Sequence, residues 1–355
     1  MADVLLVSKP VAPPWTDGAK NLVRDLCAAQ SGRHRVVAMV PGDQRDAPLG
    51  PGVVAEPVYA TPGQYAPAAT ELARVLWRLA RPSPESIHHY FFAPNPRTNA
   101  VANALYRVRS RKVIHTIPSE PTDGARWFAD VHVAVTEWTR NLLARRGAKH
   151  VRLIPPGIPD VTLPSRTEAR TQLDLPMDRP MVLFAGDLTA TGGAEALAEA
   201  AEGLDVLLVF ATRPKGEGHV ERRARLETRL GPRARWFGQV DEPTMTALVA
   251  AANVQCLPAT SLHAKLDLPM VLIESLRAGV PVVVTNLSPL RELGRTVDGV
   301  LKVPPNDPAK LRDTLTEALR AGPSAARHAR ARYEAAFTAR AMAHAYEDLW
   351  DEVSR

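Results

Sequence analysis

The sequence predicts an α/β protein of two doubly wound domains, each a parallel sheet with helices on both faces. Three observations carry that expectation. Short runs rich in Val, Ile and Leu alternate with amphipathic stretches, the pattern of strands joined by crossover helices. The alternation occurs twice, and its halves meet at Pro155-Pro156-Gly157-Ile158-Pro159, a stretch unsuited to any regular element and well suited to a hinge. The length, 355 residues, suits two domains of ordinary size.

Residues 4–7 open the chain as a buried strand. Pro10, Pro13 and Pro14 then force a loop, and Thr16-Asp17-Gly18 reads as a cap and tight turn before a helix over 19–30. Strands follow at 36–40, 53–56, 87–91, 112–117, 131–135 and 151–154, with helices at 70–79, 99–107 and 139–146. The second half places strands at 181–185, 206–210, 234–237, 254–257, 280–284 and 300–302. Its helices fall at 194–202, 221–229, 243–251 and 308–321, with a short element at 290–293 and a short helix carrying Glu274. The tail over 327–353 reads as helix and ends in Tyr346, Leu349, Trp350 and Val353.

Composition narrows the function classes. Hydrophobic residues make up 45% of the chain, and no apolar run approaches the length of a membrane-spanning helix. The N-terminus enters a strand directly, without the layout of a signal peptide, and Cys27 and Cys256 lie far apart in apolar contexts; a reducing cytoplasm fits both. The net charge is +6, yet the basic residues gather at 107–112, 140–149, 222–235 and 327–340 without interleaved aromatics, which argues against nucleic acid as a partner. Most of these clusters read as solvated helix faces, while the overall charge suits anionic ligands or peripheral contact with an anionic membrane. Nucleophile-elbow, zinc-protease and P-loop motifs are absent, as is a metal-binding Asp-x-Asp.

The most informative stretch is 268–284, where an apolar run carries one carboxylate, Glu274, followed by Gly279 and a β-branched strand. This places Glu274 at the mouth of a helix that feeds a buried strand. A carboxylate there needs partners, and the vicinal hydroxyls of a ribose are suitable ones. The run Pro-x-x-x-x-Glu-x-x-x-x-Gly-x-Pro-Val-Val resembles the nucleotide-sugar signature of GT-B glycosyltransferases of the GT4 (group 1) type, and the resemblance extends over nearly the whole chain. It implies two Rossmann-like domains facing a cleft: an acceptor domain over 1–158, completed by a C-terminal helix over about 337–355 that crosses back to it, and a donor domain over 159–336. It further implies that Glu274, with Ser275 beside it, holds the donor ribose, and that the cleft closes at the Pro-rich hinge.

Four positions depart from the family pattern, each changing the chemistry expected there. Leu266 stands where a second Glu is usual, which turns attention to its neighbours Lys265, facing phosphate, and Asp267, facing sugar hydroxyls. Asp187 and Gly192 stand where an Arg and a Lys usually meet the diphosphate, so Gly192 and Gly193 are left to offer backbone N–H groups. Arg213 and Lys215, in the loop after the next strand, are the substitute cations. In the first domain, Asp17, Gly18, Lys20 and Asn21 occupy the loop that reaches toward donor phosphate or acceptor; a Lys in the first helical turn opposes the helix dipole and so points to an anion. Pro118 stands in place of the family's His, leaving His89, His115 and Glu120 as cleft candidates.

The resemblance therefore implies transfer of a sugar from a nucleotide-sugar donor to a glycan, a lipid-linked sugar or a small metabolite, with retention, without metal, and with no cofactor beyond the donor. Because four usual positions differ, a non-catalytic GT-B protein that binds a nucleotide or glycan is the alternative reading. A nucleotide-sugar epimerase is a weaker one, lacking assignable elimination groups.

Overall fold

The computed structural model describes the chain except residues 62–67, 83, 109–110, 215–217 and 263–265, and except the side chains of 97–98, 105–108 and 323. Lys215 and Lys265 thus lie outside the described residues. The chain divides into two compact units. The first comprises Met1–Pro159 and Phe337–Arg355, joined by Leu266 and Asp267, and the second comprises the intervening chain.

The first unit runs β1 (Asp3–Val7), α1 (Gly18–Ala28), β2 (Arg35–Pro41), β3 (Val53–Tyr59), α2 (Ala69–Ala80), β4 (Ile87–Phe91), α3 (Pro96–Val108), β5 (Lys112–Ile117), β6 (Val131–Ala134), α4 (Glu137–Arg145) and β7 (Val151–Leu153). Its seven strands are ordered β3-β2-β1-β4-β5-β6-β7, all pairings parallel. Its inner strands β1, β2 and β4 are buried on both faces, as a sheet covered on both sides requires.

The second unit runs α5 (Arg166–Gln172), β8 (Met181–Asp187), α6 (Ala194–Ala200), β9 (Leu207–Arg213), α7 (His219–Leu230), β10 (Ala234–Phe237), α8 (Glu242–Ala251), β11 (Val254–Leu257), α9 (Met270–Arg277), β12 (Val282–Thr285), β13 (Val300–Val303), α10 (Pro308–Arg320) and α11 (Gly322–Ala336). Its strand order is β10-β9-β8-β11-β12-β13, again parallel. Met181, Leu183 and Ala185 of β8 pack with Leu207 and Val209 of β9 beneath α5 and α8.

The predicted tail helix is two helices, α11 and α12 (Ala339–Ser354), broken at Phe337-Thr338. Thr338 caps α12 through the N–H of Ala341, and α12 returns to the first unit. There Met342, Ala343, Tyr346, Leu349 and Trp350 fill the core with Leu22 and Leu26 of α1. The Pro-rich segment is stitched to the same break: the N–H of Ile158 donates to Phe337 at 2.9 Å, and that of Ala339 to Ile158 at 2.8 Å. A side chain at Gly157 would lie 2.3 Å from the Thr338 carbonyl, so only glycine fits this pairing.

The helix α5 was not among the expected elements. Its signal is a capping box, in which Ser165 accepts from the N–H of Glu168 while Glu168 accepts from that of Ser165. No described helix is long and apolar enough to cross a membrane.

Candidate functional site

In each unit the strand order reverses beside the first strand, at β1/β4 and at β8/β11. At such a switch point the connecting helices leave in opposite directions and open a crevice outside the carboxyl ends of the strands. In the second unit the loops leaving β8 and β11 border that crevice, and they are pinned together. Thr260 donates its N–H to the carbonyl of Thr191 at 2.8 Å. Gly193, in a left-handed conformation at φ 90°, lies against Pro258 so closely that a Cβ would sit 2.3 Å from the Pro258 carbonyl oxygen.

These contacts give the two glycines a structural reason of their own. The N–H of Gly192 is taken by the carbonyl of Thr189 at 3.0 Å, and a Cβ there would lie 2.6 Å from the Asp187 carbonyl. Both residues are glycine because protein backbone crowds them. The helix they precede, α6, is only seven residues long.

Arg213 lies not in a loop but at the end of β9, directly in register with Asp187 at the end of β8. Its Nε donates to Asp187 Oδ1 at 3.0 Å, and Nη2 lies 2.8 Å from the same oxygen. Asp187 is buried, whereas the Arg213 side chain retains 27% of its exposure. The carboxylate of Asp187 thus holds a cation from the neighbouring strand at the carboxyl edge of the sheet. The expected strands stopped at 185 and 210, short of both residues, and their opposite charges two or three residues further on were the available signal.

Glu274 sits on α9, the helix after β11. The helix begins at Met270, directly after Pro269, so Glu274 lies beyond the first turn rather than at its mouth. It is partly exposed between buried Ile273 and Ser275. Ser275 is fully buried, and its hydroxyl donates to the Val271 carbonyl one turn earlier at 2.9 Å, which withdraws it from a donor-binding role.

Asp267 belongs to the first unit, where its carboxylate is engaged by protein groups. Thr136 donates to Asp267 Oδ2 at 3.0 Å, the Thr139 hydroxyl donates to the same oxygen, and the N–H of Asp267 donates to the Pro118 carbonyl. A buried carboxylate at the N-terminus of α4, matched to two hydroxyls, is a structural clasp on the end of β5 and the start of α4.

In the loop after β1, Asp17 caps α1 by accepting from the N–H groups of Ala19 and Lys20, and its other oxygen pairs with Lys9 Nζ at 2.6 Å. Gly18 is the first residue of the helix. Lys20 is buried, with Nζ 3.4 Å from the Pro14 carbonyl and 5.6 Å from the Trp15 ring centre. Burial pushes its ammonium down to about 8, against the upward pull of Asp17. Asn21 donates to the Trp15 carbonyl at 3.2 Å. Lys20 and Asn21 thus anchor the proline loop through the Pro14 and Trp15 carbonyls.

The histidines are interior residues. Trp350 donates to His89 Nδ1 at 3.1 Å, which leaves His89 Nε2 to donate to Thr116 at 2.8 Å; Thr116 Oγ1 in turn lies 3.1 Å from Tyr346 OH. His115 Nε2 contacts the Phe92 carbonyl at 3.0 Å among the rings of Phe92 and Phe128. Burial, aided by a neighbouring histidine, holds both imidazoles neutral, His115 down to about 3. Neither faces a cleft, because β4 and β5 are inner strands covered on both sides. Glu120 is exposed beyond the end of β5.

Residues 165–335, nearly all of the second unit, match the family model described as glycosyl transferases group 1. The chain carries a group 1 glycosyltransferase domain. The fold of the whole chain is GT-B, as solved structures show. It is similar to the sucrose-phosphate synthase of Thermosynechococcus elongatus, with a TM-score of 0.79 at 22% identity over 99% of both chains. HepE of Anabaena, solved in complex with UDP-glucose, gives 0.78 at 17% identity over 99% of this chain and 100% of that one. The catalytic domain of Starch Synthase IV from Arabidopsis thaliana, bound to ADP and acarbose, gives 0.75 at 14% identity over 100% of both. No curated protein sequence matches the chain significantly.

Proposed function

We propose that this glycosyltransferase moves a sugar from a nucleotide-sugar donor to an acceptor hydroxyl on a glycan, a lipid-linked sugar or a small metabolite. The donor lies at the carboxyl edge of the second sheet. The observation that carries this reading is the Arg213 guanidinium, held by buried Asp187 at the switch-point crevice whose far side leads into the Glu274 helix. Glu274 accepts hydrogen bonds from the ribose hydroxyls, and Arg213 faces the diphosphate, a role for which the sequence also offers Lys215 and Lys265, outside the described residues. UDP-glucose, UDP and ADP in the similar structures support a nucleotide-linked donor.

The transfer retains configuration, as the family resemblance implies. The bond from the anomeric carbon to the phosphate oxygen breaks, and the acceptor oxygen bonds to the same face of that carbon. The acceptor proton passes to the departing phosphate oxygen. Charge grows on that oxygen in the transition state, so a fixed cation there lowers the barrier more than it tightens ground-state binding. The protein's own cations serve in this role, without metal or further cofactor.

The test is calorimetric titration with a panel of nucleoside diphosphates and nucleotide sugars, on wild type and Glu274→Ala, followed by transfer assays with the donor found. One nucleotide binds the wild type, and the variant binds it about thirtyfold more weakly, the worth of a hydrogen bond to a charged group. Equal binding by both proteins would remove Glu274 from the site.

A further inference from the structure

The helix α2 packs Val75 and Leu79 into the core yet is apolar on its outer face as well. Its polar groups Glu71 and Arg78 point inward and are buried: Glu71 accepts from the N–H of Ala60, and Arg78 pairs with Glu56 and Glu85. Its outward face is apolar, with Trp77 61% exposed, Leu72 45% and Leu76 38%, and with Ala69, Ala73 and Ala80 exposed among them. Exposed Arg74 and Arg81 flank this face, and the Arg81 guanidinium lies 3.3 Å from the Trp77 ring centre. On the same side of the sheet, α3 shares the core cluster of α2 through Ala102 and exposes Val101.

Charge identifies what this face meets. Among the described residues of α2 and the turn after it, the cations Arg74 and Arg81 are exposed, whereas the acids Glu71 and Glu85 are buried and Arg78 is buried with them. The stretch is therefore outwardly cationic around an apolar centre, an arrangement that suits an interfacial helix, whose Trp and Leu enter the acyl boundary while Arg meets lipid phosphates. A second copy docked face to face would set like charges against each other. Nucleic acid would leave Leu72, Leu76 and Trp77 unmatched, since it offers a polar backbone to such a face.

We infer that the outer face of α2 docks on an anionic lipid surface. The inference is independent of the donor chemistry. It places a membrane-borne acceptor within the class of acceptors this enzyme meets.

The experiment is vesicle co-sedimentation of the full chain, with neutral phosphatidylcholine and with vesicles containing about 30% phosphatidylglycerol. The protein sediments with the anionic vesicles and far less with the neutral ones. Leu72→Ser/Leu76→Ser/Trp77→Ser abolishes sedimentation. Arg74→Glu/Arg81→Glu weakens it by more than about tenfold, as about fivefold per lost cation requires. All five positions are exposed, so both variants keep the wild-type melting temperature. Failure of the wild type to sediment, or unchanged sedimentation of either variant, would overturn the inference. So would a wild-type dimer in sedimentation velocity that the triple-serine variant dissolves, since a second copy would then own the face.

Discussion

The guanidinium of Arg213 rests on the carboxylate of Asp187, with Nε 3.0 Å and Nη2 2.8 Å from the same oxygen, across the last register pair of β8 and β9. Removing one partner of a buried pair leaves the other charge uncompensated, which costs more than the pair contributes. Arg213→Ala therefore destabilises the second unit by about 3 kcal/mol. The double variant Asp187→Asn/Arg213→Gln recovers most of this stability but not nucleotide affinity. Urea unfolding and calorimetry separate the two effects. A double variant as unstable as the single one would contradict the account.

Asp267 predicts a stability effect rather than a binding effect. Its carboxylate takes the hydroxyls of Thr136 and Thr139 in a buried setting. Asp267→Ala leaves those hydroxyls unmatched and costs about 2 kcal/mol, and Asp267→Asn costs less because its amide oxygen still accepts. Thermal unfolding measures the difference. A large loss of donor affinity with an unchanged melting temperature would restore Asp267 to the donor site.

Gly193→Ala tests the pinned crevice loops. The added methyl meets the Pro258 carbonyl at 2.3 Å from a backbone already at φ 90°, so the loops leaving β8 and β11 must part. The cost is at least about 2 kcal/mol, set by the clash and by the left-handed conformation. Gly203, also left-handed but with open space around it, is the control: Gly203→Ala costs about 1 kcal/mol. Equal melting temperatures for the two variants would show that the loops are not pinned.

Acid sensitivity follows from the buried histidines. His89, His115 and His132 are held below the ordinary value of 6.5, chiefly by burial. The unfolded chain takes up protons as pH falls below 6.5 while the native imidazoles stay neutral, so native stability is complete above that value and declines below it, for His115 down to about 3. Each histidine contributes up to about 1.4 kcal/mol per pH unit in that window. Urea midpoints measured between about pH 7 and about pH 5 should fall steeply, and less steeply in His115→Gln. Parallel curves for wild type and variant would refute this assignment.

Much of the fold was legible because parallel strands buried on both faces carry continuous apolar runs; β4, β5, β10 and β11 were expected within their observed bounds. Asp17 was legible as a cap for the same local reason, its carboxylate answering amides two and three residues on. Helix α5 escaped because it is short and polar and rests on a capping box rather than an apolar period. The position of Glu274 within α9 was misjudged because Pro269 opens the helix earlier than the apolar run alone indicates.

The sequence by itself determined the order of strands and helices, the break between the two halves and the group 1 signature around Glu274. These depend on neighbours close along the chain, whose periodicity and turn chemistry are local. Tertiary structure alone decided which charges meet. Asp187 finds Arg213 because β8 and β9 are adjacent and in register, Asp267 finds two threonines more than a hundred residues away, and Trp350 reaches His89 because α12 returns to the first sheet. A polar side chain takes its role from the partner that burial forces on it, and that partner is chosen by topology rather than by spacing in the chain.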